Sequence, residues 1–310
     1  MSSGPSRFGE APLVPRGRHV YVSRRSGSWW IAGRSDRIET DETPLSEADN
    51  DRNWRGSRPS ISACRGRESS SGLSGEGDGS RIEGEKRAAG LAALAEIESG
   101  MTIGLGTGST VRHFLEGLAV SLDAGLIRGV RGVPTSSDTE LRCRVLGIPT
   151  LQLSDGLCLD VAVDGADEVS PDLDLVKGLG GALLREKIVV QAADRFVVIV
   201  DGAKEVGSLG ERSLIPIEVA PFAWSSHLSF FRSLRAEPIP RQQDGEMVVT
   251  DNGNHLVDLA FAEGIESPEE LDAVLHRRAG VVETGLFLKM ADRVFTGSGD
   301  EVMRRDRRTP

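Results

Sequence analysis

Cysteine is scarce and unpaired in this chain. Cys64, Cys143 and Cys158 are scattered over 310 residues, with no spacing that makes a disulfide framework or a zinc-ligand set. A disulfide-stapled secreted scaffold is excluded, and a reducing cytoplasm fits best. Long apolar runs are also missing: none approaches the roughly 20 residues that a membrane-spanning helix requires, so no membrane association is expected. The five histidines are dispersed, with no His-x-x-x-His pair and no mixed carboxylate cluster. Metal-dependent hydride chemistry is therefore disfavoured, and a lone residue such as His113 or His255 reads as structural. Positive charge is short as well. At a formal net charge of −10 no nucleic-acid partner is expected, and an anionic ligand must be drawn in by local groups against the overall field.

Lysine is absent from the first eighty positions, which are rich in arginine, serine and glycine. That shift in composition sets a boundary near residue 80. Within 1–80, His19–Ser23 and Ser28–Ala32 flank a polar Arg24-Arg25-Ser26-Gly27 turn and predict an isolated hairpin, marginal without further strands; the rest reads as disorder. The opening segment to about Arg34 is arginine-rich and acid-poor, the composition of an organelle-targeting peptide, but Asp36 to Asp51 is acidic and breaks the pattern. A cytoplasmic protein is the expectation. With 38% apolar residues the chain can bury one large core or two modest ones.

The most informative stretch is VDGADEVSPDLDLVKGLGGALLREKIV. Leu159 to Val163 reads as a β-branched strand running into Asp164-Gly165-Ala166-Asp167, so both carboxylates fall just past the carboxyl end of a strand, where ligands bind in open α/β sheets. Lys177-Gly178-Leu179-Gly180-Gly181 can bring backbone close to a ligand, and Ala182 to Ala193 has the apolar spacing of a helix carrying Glu186. Taken singly, each acid more often caps a turn, and Glu186 with Lys187 more often lies on a solvated helix face. Two aspartates, a lysine and a glutamate around one glycine turn argue instead for a shared pocket.

From residue 81 the order helix, strand, loop, helix repeats, which predicts an α/β fold with a Rossmann-like parallel sheet and helices on both faces. Arg87–Ile97 is expected as an alanine-rich helix, Met101–Leu105 as a strand, Gly106–Ser109 as a turn and Thr110–Leu122 as the next helix. Such a turn aims N–H groups and the positive end of a helix dipole at one point and suits a phosphate dianion. It lacks the Gly-Lys-Ser/Thr ending of a nucleotide P-loop and the G-x-G-x-x-G of a dinucleotide loop. Between 214 and 278 a small ferredoxin-like α+β lobe is expected, with Ile217–Val219 extended, His227–Leu234 helical, a hairpin of Met247–Thr250 with Leu256–Phe261, and a last helix opened by Ser267-Pro268-Glu269-Glu270. Val281–Glu283 and Arg293–Phe295 are expected to return to the parent sheet, so the main domain comprises 81–213 and 279–310, with the arginine-rich tail beyond Met303 frayed.

From about Ile82 onward the chain resembles ribose-5-phosphate isomerase of the A type. The resemblance rests on DGADE and KGLGGALLREKIV together with Gly104-Leu105-Gly106-Thr107-Gly108-Ser109-Thr110, Pro134-Thr135-Ser136-Ser137, Leu209-Gly210-Glu211-Arg212, Val219-Ala220-Pro221-Phe222-Ala223-Trp224, Thr250-Asp251-Asn252-Gly253-Asn254, Gly280-Val281-Val282-Glu283 and Gly285-Leu286-Phe287. It implies an aldose-ketose isomerase of the non-oxidative pentose phosphate pathway, acting on a pentose 5-phosphate without a cofactor or metal, and assembling as a homodimer or homotetramer through its lobe. Interconverting the aldose and ketose requires opening the furanose, removing the C2 proton, holding an enediolate and returning a proton to C1. Glu186 suits the base if partly desolvated, and Lys177 suits the cation that stabilises the enediolate oxygen. Asp164 and Asp167 suit proton movement between O1 and O2 and ring opening, with their division of labour open.

For the sugar phosphate, Ser109 and Thr110 come first, beside Thr107 and Gly108. Gly165, Ala166, Gly178, Leu179 and Gly180 line the site, and by resemblance Lys204 and Lys86 add charge. Leu179 stands where the resemblance implies a glycine, which predicts a stiffer turn than in relatives, with activity expected to survive. Two other functions share such a fold. An amino-sugar-phosphate deaminase is expected to place a histidine near the acidic pair, and none lies between Asp164 and Glu186. A non-catalytic sugar-phosphate sensor is expected to lose the base or the lysine, and both are kept.

Overall fold

The computed structural model describes residues 21–25, 28–32, 75–299 and 301–307. It divides into two units. In the first, Met1–Asp41, strands Tyr21–Arg25 and Ser28–Ala32 pair antiparallel with Arg25 opposite Ser28, the hairpin expected from sequence. The disorder expected for the remainder of 1–80 falls mostly outside the described residues. Where the two overlap, the outcome differs: residues 75–80 belong to a helix, Gly75–Ala92, which begins upstream of the compositional boundary and passes into a 3-10 turn, Ala93–Glu96.

The second unit is built on a six-stranded sheet in the order Glu301–Asp306, Arg293–Ser298, Phe196–Asp201, Val161–Asp164, Thr102–Leu105, Arg131–Pro134. All neighbours are parallel except the first pair. The central strands read as unbroken apolar runs because parallel strands are covered on both faces, and every residue of Phe196–Asp201 and Val161–Asp164 is buried. Helix Ser109–Asp123 buries Val111, Phe114, Leu115 and Leu118, the three-and-four spacing of one face. As far as Arg307 the arginine-rich tail is ordered, contrary to expectation. Its strand pairs with Arg293–Ser298, and its arginines find acids elsewhere in the chain, Arg305 on Glu205 at 2.6 Å and Arg307 on Asp174 at 3.3 Å.

The lobe follows the βαββαβ order of a ferredoxin-like fold: Ile215–Val219, Leu228–Ser233, Glu237–Pro240, His255–Ala260, Pro268–His276 and Val281–Thr284. Its antiparallel sheet runs Glu237–Pro240, His255–Ala260, Ile215–Val219, Val281–Thr284. Two expectations are corrected here. Val281–Thr284 completes this sheet rather than returning to the parent one. The hairpin across 251–254 shrinks to a single bridge, Val249 to His255, and the partner of His255–Ala260 is Glu237–Pro240. Pro238 and Pro240 hide that strand in the sequence, yet an edge strand tolerates proline because one row of N–H groups has no ladder to complete.

Candidate active site

Strand Thr102–Leu105 lies between Arg131–Pro134 and Val161–Asp164, so the chain turns first to one side of its opening strand and then to the other. The crevice outside the carboxyl ends of Thr102–Leu105 and Val161–Asp164 is therefore a topological switch point, where open α/β sheets bind ligands. Gly106–Thr110 leaves the first of these strands and Asp164–Asp167 the second.

Three of the four residues singled out as chemical meet at this point. Lys177 Nζ stands 3.0 Å from Asp164 Oδ2 and 3.3 Å from Glu186 Oε2, and it donates to the carbonyl of Gly165 at 2.7 Å. Exposure is 3% for Lys177, 1% for Asp164 and 5% for Glu186, so the solvated-face reading fails for Glu186. It fails for Lys187 too, which is buried and donates to Glu283, the Thr284 carbonyl and the Leu286 carbonyl. Asp167 joins from the side: its Oδ2 accepts the Leu179 N–H at 3.0 Å. Asp164 Oδ1 accepts N–H bonds from Thr107 at 3.1 Å and Gly165 at 2.7 Å. Asp164 Oδ2 and Glu186 Oε2 accept no hydrogen bond of normal geometry; each has the ammonium as its ionic neighbour.

Two carboxyls thus share one cation in a dry site. Burial is the largest influence on Glu186 and pushes its carboxyl up, the charge of Asp164 adds to the rise, and Lys177 opposes it; the group titrates at about 8 instead of 4.5. Burial raises Asp164 as well, against the pull of Lys177 and two N–H groups. Burial disfavours the ammonium of Lys177, but Asp164 and Glu186 outweigh it and hold the group above the usual lysine range. The result is a base poised near neutrality beside a fixed positive charge.

The backbone makes this packing possible at two glycines. A Cβ on Gly106 would sit 2.2 Å from Asp164 Cγ, so only glycine lets the first loop cross the aspartate. Gly178 has φ +102, a left-handed conformation that starts the turn after Lys177.

Helix Ser109–Asp123 opens at Gly108, with φ +121 and no side-chain oxygen on its first N–H groups, which have no intrahelical acceptor. Ser109 and Thr110 stand at that end. Thr107, expected beside them, is engaged elsewhere: its hydroxyl bonds Thr135 and Ser136 at 2.8 Å each and Thr139 at 3.1 Å, and its N–H is on Asp164. Lys204 follows the end of strand Phe196–Asp201 in a short 3-10 turn capped by Asp201. Lys86 follows Glu85, which bonds the Gly299 N–H beyond strand Arg293–Ser298. Both lysines therefore lie at the carboxyl edge of the sheet, Lys204 after the strand next to the one that ends in Asp164. Lys177, Lys187 and Lys289 are ion-paired; Lys86 and Lys204 are half-buried with no such partner among the described residues.

Several groups around the site carry no chemical signature in the sequence. Arg185, next to Glu186, donates to Asn252 Oδ1 and the Asp251 carbonyl at 2.8 Å each, while Asp251 Oδ2 accepts the Ser137 N–H at 2.8 Å. Arg241 of the lobe reaches the carbonyls of Gly178 and Leu179. Only the Thr-Ser-Ser loop, as a motif, and the Thr250–Asn254 turn offered a signal. Among the described residues no cluster of three or more His, Cys, Asp or Glu is arranged to hold a metal ion. His113 bonds Glu83 at 2.8 Å and His255 faces the Val248 carbonyl at 3.3 Å.

A doubly wound α/β domain with an acid–base cluster at its switch point defines the class: an enzyme that moves protons on a small polar ligand. The comparisons make this specific. Residues 131–301 match the family described as Ribose 5-phosphate isomerase A (phosphoriboisomerase A). Over 227 residues the chain is 45% identical to the Ribose-5-phosphate isomerase A of Gluconobacter oxydans, covering 72% of this chain and 97% of the relative. A solved D-ribose-5-phosphate isomerase in complex with phospho-erythronic acid superposes with a TM-score of 0.71 at 39% identity, covering 73% of this chain and 99% of that one. The ribose 5-phosphate isomerase of Plasmodium falciparum gives 0.71 at 34% identity, covering 74% and 100%. The chain belongs to the ribose 5-phosphate isomerase A family.

Proposed function

We propose that this protein interconverts D-ribose 5-phosphate and D-ribulose 5-phosphate by proton transfer through an enediolate. The observation that carries the reading is the buried Asp164–Lys177–Glu186 cluster, in which one ammonium serves two carboxyls and burial, with the charge of Asp164, lifts Glu186 to a pKa of about 8. Glu186 takes the C2 proton and returns it to C1. Lys177 stabilises the oxygen on which charge develops, an interaction stronger in the transition state than in the ground state. Asp164 Oδ2, free of other hydrogen bonds, accepts from a sugar hydroxyl, and Asp167 joins it in moving the proton between O1 and O2 and in opening the ring. Ser109, Thr110 and the N–H groups of the first helical turn take the phosphate, with Lys204 and Lys86 adding charge. The solved relative that binds phospho-erythronic acid supports this assignment, since a phosphorylated sugar acid has a planar anionic carboxylate in the style of an enediolate.

Assembly as a homodimer or homotetramer belongs to the same reading. It is supported by exposed apolar side chains, Phe222 and Val249 in the lobe and Leu141, Val145 and Ile188 on helices of the main domain; light scattering of the purified chain tests it. A cytoplasmic location rests on the composition. No described helix is long and apolar enough to cross a membrane.

The deciding experiment is conversion of ribose 5-phosphate to ribulose 5-phosphate by the purified chain in excess chelator, beside Glu186→Gln. The route uses side chains alone, so turnover is expected to persist in chelator and to collapse in the variant. Binding of ribose 5-phosphate without turnover by the parent refutes the reading in favour of a sensor.

A further inference from the structure

We propose that Arg241 is a positioning residue, reaching out of the lobe to fix one peptide plane in the turn that follows Lys177. The plane joins Gly178 to Leu179. Its carbonyl, on Gly178, accepts from Arg241 Nη1 at 3.2 Å, and its N–H, on Leu179, donates to Asp167 Oδ2 at 3.0 Å. Arg241 and Asp167 thus hold opposite edges of a single peptide. Nη1 also donates to the Leu179 carbonyl at 3.0 Å, and the Gly178 carbonyl closes the turn by accepting the Gly181 N–H at 2.9 Å.

The plane needs such a hold because Gly178 has φ +102, and a glycine opposes rotation of its neighbouring peptides less than any other residue. Turned over, the plane would present a carbonyl to the Asp167 carboxylate in place of an N–H, opposing two negative ends. Arg241 itself is anchored from behind. Its Nε donates to Asp258 Oδ2 at 2.8 Å and its Nη2 bonds Asp258 Oδ1, a two-pronged pairing that only a guanidinium makes. The Arg241 backbone is held on both sides, donating to Leu256 and accepting from Val248 at 2.9 Å each. Four of the five N–H donors a guanidinium carries are thereby committed to protein acceptors, which marks Arg241 as acting through the turn rather than on the substrate.

The test uses the full chain and the double variant Arg241→Met/Asp258→Leu, which removes both charges and so leaves no buried ion unpaired, with Arg241→Lys as a second variant that keeps the charge but cannot span Asp258 and two carbonyls. Two quantities are read: amide hydrogen exchange over 177–181, and kcat and KM for ribose 5-phosphate. The expected result is faster exchange in the turn with the central strand Phe196–Asp201 unchanged, and a kcat lowered roughly tenfold to a hundredfold while KM moves far less. If the double variant does not fold, Arg241→Lys is read in the same way. Unchanged exchange overturns the proposal, and so does faster exchange with kcat at the parent level. The kinetic half rests on the isomerase reading, but exchange does not: a parent without turnover, whose turn still loosens in the variant, keeps the clamp and dismisses the isomerase.

Discussion

Glu186→Gln should destroy turnover and stabilise the fold at the same time, and the two effects have one cause. The carboxyl is 5% exposed and stands near Asp164 with Lys177 shared between them. Positioned general acid–base groups contribute about 10²–10⁴-fold, so the amide variant should lose about 3–5 kcal/mol of transition-state stabilisation. For stability the sign runs the other way. Below about pH 4.5 the carboxyl is protonated in both folded and unfolded chains; between 4.5 and about 8 the unfolded chain releases a proton that the folded one keeps, so stability falls as pH rises through that window and the loss is complete above it. A shift of that size sets an upper bound of about 5 kcal/mol, and local relaxation reduces it. Each kcal/mol kept appears as about 2–4 °C in Tm for a domain of this size. Thermal melts at pH 5 and pH 9, with kcat/KM from pH 6 to 9, give both halves: the melting gap between variant and parent should widen with pH, and parental kcat/KM should climb toward a plateau near pH 8 to 9. A variant that keeps a tenth of parental turnover, or a gap that does not change with pH, refutes the reasoning.

Lys177→Met should cut kcat by about 10²–10³-fold, the scale of losing one preorganised electrostatic group, and destabilise the protein by about 3–5 kcal/mol because Asp164 and Glu186 lose the cation they share; denaturation at pH 5 and pH 8 should show the variant weaker at the higher pH, where the unfolded chain releases protons that the folded variant, without the ammonium, keeps. Gly106→Ala places a methyl 2.2 Å from Asp164 Cγ, so a cost of about 1–3 kcal/mol should accompany a fall in kcat, read by denaturant melts and initial rates; parental values for both would refute the close approach. Lys204→Ala should raise KM for ribose 5-phosphate about tenfold with kcat nearly unchanged, the signature of a binding group that serves ground and transition state alike, and its effect should shrink as salt is added.

What was legible in the sequence was local. Asp164 ends a strand, Asp167 follows three residues on, Lys177 comes after a short hairpin and opens a glycine turn, and Glu186 sits on the helix behind it, so one continuous stretch of chain brings them together and residue types suffice to find them. The ferredoxin-like lobe was legible as a composition of elements, but the strand Glu237–Pro240 was not: its prolines argue against a strand until the edge position is known. The tail was misread because arginines beyond Met303 look solvated, and nothing in their neighbourhood names Glu205 or Asp174 as partners. Arg241 escaped for the same reason, and Asp251, though part of the quoted Thr250–Asn254 turn, gave no sign of its partners. Their contacts with the turn after Lys177, with Arg185 and with Ser137 depend on how the lobe packs against the main sheet, which no spacing encodes.

A chain of net charge −10 repels a phosphate dianion at long range, so capture must come from groups that act within a Debye length. Most cations of the described residues are neutralised where they stand: Arg293 and Arg195 on Glu96, Arg305 on Glu205, Lys187 on Glu283, Arg241 on Asp258. Lys86 and Lys204 lie at the carboxyl edge of the sheet, on the same side as the open N-terminus of helix Ser109–Asp123, and neither is neutralised by an ion pair among the described residues. An ammonium left half-buried without an acid keeps its charge available for a ligand, whereas Lys177, buried between two acids, suits the proposed role of answering charge that develops during the reaction. On the proposed assignment the binding charge is unpaired and the catalytic charge is held between two acids, which is why the Lys204 variant should move KM while the Lys177 variant moves kcat.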